Sequence, residues 1–313
     1  WHAGDTGTGQ GMTMPTRSNT PRVSFIGFGE AGQAIASGLR DEGVERIAAW
    51  DILFPVAEGA RLKAAGESMG VRLANSAADA VAETDMIISA VTAASSLEAA
   101  RSVEPHLSGS PYYLDINSVS PGRKQATAKL LGERARYVDV AVIAPIHPLR
   151  HKTPLLISGP HAEAVSPLLN ELAMTLRTVG ASTGQAAAIK MIRSVMIKGM
   201  EALTLECFLA ASRANVLDDV TASLKNNYPG LDWPKMSEYN LERMASHGER
   251  RAAEMEESAA TLRELGLDPL MVESTVKRQR EMGAIGKDNT VRASLAAGRA
   301  TMLDAISAAK GRR

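Results

Sequence analysis

Near the start of the chain an apolar run, a glycine-rich turn and a helical stretch follow one another without a spacer. Residues 23–26 read Val-Ser-Phe-Ile, Gly27-Phe-Gly-Glu-Ala-Gly32 comes next, and 33–40 continue as helix. Few folds use that order. Gly27 permits the tight turn out of the strand, Gly29 lets the backbone come close to a diphosphate, and Gly32 lets helix and strand pack closely. The helix N-terminus then turns its free N–H groups toward the anion. About twenty residues further on, Asp51 ends the next apolar run, where a carboxylate can accept both hydroxyls of an adenine ribose. Gly27, Phe28, Gly29, Glu30, Ala31, Gly32 and Asp51 are therefore candidate cofactor contacts. Val91 and Thr92 join them, because ligands of an open α/β sheet collect at the carboxyl ends of its strands. Asp51 repels a 2′-phosphate and Ile52-Leu-Phe-Pro55 brings no cation, so NAD is expected rather than NADP, with Arg61 the nearest base.

Apolar runs at 23–26, 47–50, 86–91, 112–116, 138–143 and 155–158 alternate with helical stretches, the pattern of βαβ units on a parallel sheet. They are rich in Val and Ile and lack in/out alternation, which predicts helices on both faces. Past residue 182 the strand signals end. The stretch 185–213 is apolar almost all round, which predicts a buried helix. The stretch 241–265 carries Leu241, Met244, Gly248, Ala252, Met255, Leu262 and Leu265 on one stripe and stops before Gly266 and Pro269. Segments 270–282 and 289–309 also read as helix. The expected class is α/β: a Rossmann doubly wound parallel sheet over 22–181, then an all-α domain over 182–313, behind a loose tail at 1–21. A length of 313 residues suits two domains.

The 35 basic residues cancel the 35 acidic ones, which argues against a nucleic-acid partner. No apolar run approaches the ~20 residues that cross a bilayer, and no signal peptide opens the chain, so no membrane association and a cytoplasmic location are expected. A single cysteine, Cys207, excludes an internal disulfide and a cysteine metal cage, and no His and carboxylate cluster at ligand spacing appears, so no metal is expected.

Four blocks, in order, resemble the β-hydroxyacid dehydrogenase family, which includes 3-hydroxyisobutyrate and 6-phosphogluconate dehydrogenases. They are Gly27-Phe-Gly-Glu-Ala-Gly32, Asp115-Ile-Asn-Ser-Val-Ser-Pro121, Tyr137-Val-Asp139-Val-Ala-Val and Gly180-Ala-Ser-Thr-Gly184-Gln-Ala-Ala-Ala-Ile-Lys190. The second is similar to the family's substrate-holding D-x-S-T-x-x-P segment, the third to the strand before D-A-P-V-S-G-G, and the fourth to G-x-x-G-x-G-x-x-x-K. The resemblance implies a nicotinamide-dependent dehydrogenase, a Rossmann fold, Lys190 as the catalytic residue and a homodimer. The chain also departs from the pattern. Asn117-Ser118 stand for Ser-Thr, Ile143-Ala-Pro145 for S-G-G, and Arg193-Ser194 for the paired Asn that follow the family's lysine. The segment 239–269 looks like the helical domain of proteins described only as phosphogluconate-dehydrogenase-like.

Oxidising a secondary alcohol needs a hydride acceptor on one face of the carbon and a base within about 3 Å of the hydroxyl. Lys190 suits the second role if an apolar helix desolvates it toward neutrality. The bland reading is a lysine that snorkels to solvent. Arg193 shares its helical face and points to an anionic substrate. Lys198 and Glu201 read as a structural pair along the same helix. Asn117, Ser118 and Ser120 are candidate substrate contacts at a strand end, although both serines could simply cap the helix near Pro121. His247 and Arg251, flanking the apolar stripe, are candidate carboxylate binders or part of a solvated face, with Arg250 pointing away. His147 and His151, in a proline-flanked loop, carry the same ambiguity. The expected function is hydride transfer between NAD and a small anionic 3-hydroxyacid. The alternatives are an imine reductase on the same scaffold and a non-catalytic dinucleotide-binding protein.

Overall fold

A computed structural model describes residues 20–312. Most of the tail expected at 1–21 lies outside the described residues. The chain runs β1 (Val23–Ile26), α1 (Glu30–Asp41), β2 (Ile47–Trp50), α2 (Ala60–Ser68), β3 (Arg72–Leu73), α3 (Ala77–Val81), β4 (Met86–Ser89), α4 (Ser96–Val103), β5 (Tyr112–Asp115) and α5 (Pro121–Leu131). It continues through β6 (Arg136–Val142), β7 (Leu155–Ser158), α6 (Ala162–Glu171) and β8 (Leu176–Gly180), then α7 (Gln185–Arg213), α8 (Leu217–Asn227), α9 (Trp233–Glu264), α10 (Leu270–Ile285), α11 (Asn289–Ser294) and α12 (Arg299–Gly311). The strands form one sheet in the order β3-β2-β1-β4-β5-β6-β7-β8. The order reverses beside β1, so the glycine turn after β1 and the loop after β4 flank one crevice.

Alternate strand residues feed separate cores. Val23, Phe25, Met86, Ile88 and Leu114 pack under α1 and α6, while Ile26, Ile87, Tyr113 and Tyr137 pack under α3, α4 and α5. Burial on both faces explains the absence of period-two patterning. One pairing differs from the expected parallel sheet: β6 and β7 are antiparallel. No crossover helix fits in the short link between them, so the chain must fold straight back. Strands β3 and β8 add edges that composition did not signal, since β3 is two residues long and β8 is only half-buried.

Helix α7 begins and ends where the periodicity predicts, yet it is not buried all round. Its middle is inverted: Ser194, Lys198 and Glu201 are buried, while Ile189, Ile192, Met196 (66 % exposed) and Leu203 (60 %) form an outward row. The inner polar groups are tolerated because α9 supplies ionic partners for them. Helix α9 starts eight residues before the expected stretch, capped by Asp232, whose side chain accepts from the Lys235 N–H at 3.2 Å. The 289–309 stretch breaks at Gly298, whose φ of +88° is left-handed, and so forms α11 and α12. A second core of Leu205, Phe208, Leu241, Met244, Met282, Leu303 and Ile306 holds the helices together. Among the described residues no helix is long and apolar enough to cross a membrane.

Candidate active site

The glycine turn has the shape its sequence predicts. A Cβ on Gly27 would lie 2.4 Å from the Ala90 carbonyl oxygen and 2.6 Å from a Val91 methyl carbon, and one on Gly32 would lie 2.7 Å from the Gly27 carbonyl oxygen. A Cβ on Gly29 would meet nothing within 4 Å. Protein therefore fills the space around the first and third glycines and leaves the middle one open to a ligand. Phe28 turns its ring into the core against Phe25 and Phe54, and its N–H donates to Asp51 Oδ2 at 2.8 Å. Asp51 Oδ1 accepts from the Leu53 N–H at 3.0 Å, so this carboxylate holds the turn as well as ending β2. Glu30 stands exposed in the first turn of α1, followed by half-buried Ala31.

At the end of β4 the Val91 N–H donates to Asn117 Oδ1 at 2.7 Å, and Asn117 Nδ2 donates to Ser89 Oγ at 3.0 Å. Asn117 is thus buried and ties two strand ends together. Thr92, outside this tie, hydrogen-bonds Ser95 Oγ at 3.0 Å. Ser120 is buried as well. Its hydroxyl caps α5 through Arg123 N and donates to Glu264 Oε1 at 2.8 Å, and its N–H donates to Glu257 Oε2 at 2.8 Å. Both acids belong to α9, so Ser120 welds the helical half to the sheet. Ser118 faces the cleft instead.

Lys190 Nζ donates to Ser118 Oγ at 2.5 Å. Burial is the main influence on the amine and pulls its pKa down to about 8; Lys198, Lys124 and Arg250 add to the effect, and Glu254 opposes it. Lys198 Nζ meets Glu254 Oε2 at 3.0 Å and Ser194 Oγ at 3.2 Å. Although burial works against ionisation, Lys198 and Lys190 draw the Glu254 carboxyl down to about 2. Glu201 does not pair with Lys198 as expected along α7. It accepts from Nε and one terminal nitrogen of the Arg251 guanidinium and from Gln279 Nε2. Arg251 is therefore buried in an ion pair. Its neighbour Arg250 is exposed, away from the buried apolar stripe as expected, and is close enough to act on Lys190.

Arg193 is exposed, beside the outward apolar row. His247 is half-buried; burial first, then Arg243 and Arg250, hold its pKa below the ordinary imidazole value, while Glu30 acts the other way. His151 is structural. It lies against Gly38 of α1 with Nε2 3.3 Å from Glu42 Oε1, whereas His147 is exposed.

Beneath the site lies a cluster that residue types did not reveal. Lys124 is 1 % exposed, and its amine donates to the Asp115 carbonyl at 2.5 Å and lies 3.1 Å from Asp115 Oδ1 and 3.4 Å from Asp139 Oδ1. Tyr137 donates to Asp115 Oδ2 at 2.8 Å. Asp139 Oδ2 accepts from Gly184 N at 3.1 Å and Ala187 N at 3.0 Å, so it caps α7 one turn before Lys190. The only sequence signal for Lys124 is its place three and seven residues before buried Thr127 and Leu131.

Comparison with known proteins agrees with this picture. Residues 22–117 match a family described as NADP oxidoreductase coenzyme F420-dependent, and 211–282 match a domain of unknown function, DUF1932. A conserved hypothetical protein from Sinorhizobium meliloti 1021 is 36 % identical with a TM-score of 0.75, over 94 % of this chain and 98 % of that one. A conserved protein of unknown function, noted for structural similarity to 3-hydroxyacid dehydrogenases, is 30 % identical with a TM-score of 0.68, over 84 % and 97 %. The Mycobacterium tuberculosis 3-hydroxyisobutyrate dehydrogenase with L-serine shares the fold at 15 % identity and a TM-score of 0.67, over 94 % and 100 %. The ordered motifs, the open glycine turn and these relatives together make the chain a member of the β-hydroxyacid dehydrogenase family.

Proposed function

We propose that this protein is a nicotinamide-dependent oxidoreductase acting on a small anionic 3-hydroxyacid, with Lys190 as the acid and base. The observation that carries the reading is the Lys190 amine: desolvated, with a pKa near 8, and bonded to a hydroxyl at a strand end beside the glycine turn. A nicotinamide dinucleotide fits the residues present. Gly29 leaves room for a diphosphate, Asp51 is available at the end of β2 for the adenine ribose, and Val91 and Thr92 flank the crevice. Bound there, the nicotinamide supplies the hydride acceptor or donor.

In the oxidation direction the neutral Lys190 amine takes the proton from the substrate hydroxyl, and in reduction the ammonium returns it. Ser118 orients the amine and can hold the substrate oxygen. Because the base form accumulates above about pH 8, oxidation is expected to rise through that pH, and reduction, which needs the ammonium, to fall. A screen of 3-hydroxyacids with NAD⁺ and of the matching 3-oxoacids with NADH tests the function. Absence of turnover across both panels, with cofactor bound, would favour a non-catalytic role.

NAD is the preferred form in this reading, since the Asp51 carboxylate would repel a 2′-phosphate and residues 52–60 hold no cation. NADH is expected to bind about tenfold or more tightly than NADPH, and equal affinities by fluorescence titration would remove the preference. The chain also acts as a homodimer in this proposal, with the outward α7 row of Ile189, Ile192, Met196 and Leu203 as the shared face. Light scattering should give twice the chain mass, and Met196→Glu should give a monomer; a monomeric wild type would refute the pairing.

A further inference from the structure

Positions 243, 250, 257 and 264 of α9 recur every seven residues, and 247 and 254 fall four after the first two, so Arg243, His247, Arg250, Glu254, Glu257 and Glu264 lie on one stripe. The acidic half of this stripe is fully engaged. Glu264 accepts from Ser120 Oγ at 2.8 Å and Gly122 N at 3.0 Å. Glu257 accepts from Ser120 N and pairs with Arg123 at 3.2 Å. Glu254 pairs with Lys198. These contacts establish that the stripe faces the carboxyl ends of the strands, and that α9 runs from the β5 loop past Lys190.

The basic half continues along the same side of α9, which also packs against residues 93–95 beyond β4, and His247 is near enough to the first turn of α1 for the Glu30 carboxylate to act on it. Neither Arg243 nor Arg250 makes a hydrogen bond or ion pair with any described residue, and Arg243 Nε is buried without a partner. By contrast Arg251, one position away, is fully paired. The sheet side of the crevice has the opposite imbalance. Residues 27–39 and 52–60 contain Glu30 but no Lys or Arg, and Asp51 stands between them. Arg40 is turned to the Val44, Glu45 and Gly70 carbonyls at the far end of α1. A diphosphate at Gly29 would therefore meet backbone N–H groups and carboxylates on one side, with no neutralising cation.

We infer that Arg243 and Arg250 form a two-cation clasp that closes on the cofactor's diphosphate from the helical domain, opposite the glycine turn. Seven residues of helix separate them by about 10 Å along the axis, a span that two guanidinium arms can close on one anion. The clasp rests on the dinucleotide reading above and deepens it: the helical domain grips the cofactor as well as facing the substrate.

Calorimetry of the full chain with ADP-ribose and NADH tests this without requiring turnover. Arg243→Ala and Arg250→Ala should each weaken both ligands about tenfold or more, and the double variant should lose roughly a hundredfold. Arg250→Lys should recover part of the loss, and the salt dependence of binding should flatten in the double variant. Unchanged thermal midpoints of the unliganded variants separate these losses from misfolding. Affinity for ADP-ribose within threefold of wild type would overturn the clasp. So would a rise confined to the substrate KM with ADP-ribose binding intact, which would assign the arginines to the substrate instead. If wild type binds no ADP-ribose, the dinucleotide reading falls, and the clasp with it.

Discussion

Lys190→Ala should lower turnover about 10²–10⁴-fold while leaving NADH affinity nearly as it is in wild type. The amine donates to Ser118 and touches no group of the glycine turn, so its loss removes the proton carrier and little of the cofactor site. Its pKa near 8 arises first from burial, so the helical domain that covers it also tunes it. The pH profile provides a second reading. In wild type, oxidation should gain with pH through about 8 and level off above it. In Lys190→Ala that limb should vanish from whatever activity remains, and Lys190→Arg, locked in the charged form, should not restore oxidation. Retention of more than a tenth of wild-type turnover by the alanine variant would remove the lysine from the chemistry.

The second large effect concerns stability. Lys124→Met should destabilise the protein by about 3–5 kcal/mol, because Asp115 and Asp139 are fully buried and the ammonium lies between them. Deleting the cation leaves two carboxylates facing each other without water. The damage should also reach the site, since Asp115 holds Asn117 N and Asp139 caps α7 before Lys190. Denaturant unfolding measures the first consequence and hydrogen exchange at Gly184 and Ala187 the second. A loss below about 1 kcal/mol, the range of an exposed ion pair, would show that the cluster is not what holds these elements.

Motifs were legible wherever backbone geometry demands a residue type. Gly27 and Gly32 are hemmed in by backbone and Gly29 is open, and each could be assigned its duty from spacing alone. Lys190 was singled out by its motif, although the partner that receives its hydrogen bond, Ser118, was one of three equal candidates. Ser120 and Asn117 looked no different in sequence, yet the first welds two domains and the second ties two strands. The charges on α9 were the hardest to read. Arg250 and Arg251 are adjacent and identical, yet Arg251 is buried in an ion pair and Arg250 is exposed without one, because one step along a helix turns a side chain by about 100° and the packing partners of that face are far away in sequence.

Local chemistry sufficed for the strand, turn and helix order, the length of α7 and the acid at the end of β2, because these depend on neighbours a few residues apart. Which ions pair, which way the polar middle of α7 faces, and which arginine is left without a partner were decided by contacts between α7, α9 and the β5 loop, fifty or more residues apart in the chain. A buried charge must find its counterion wherever the fold brings one, and no short-range pattern records where that will be.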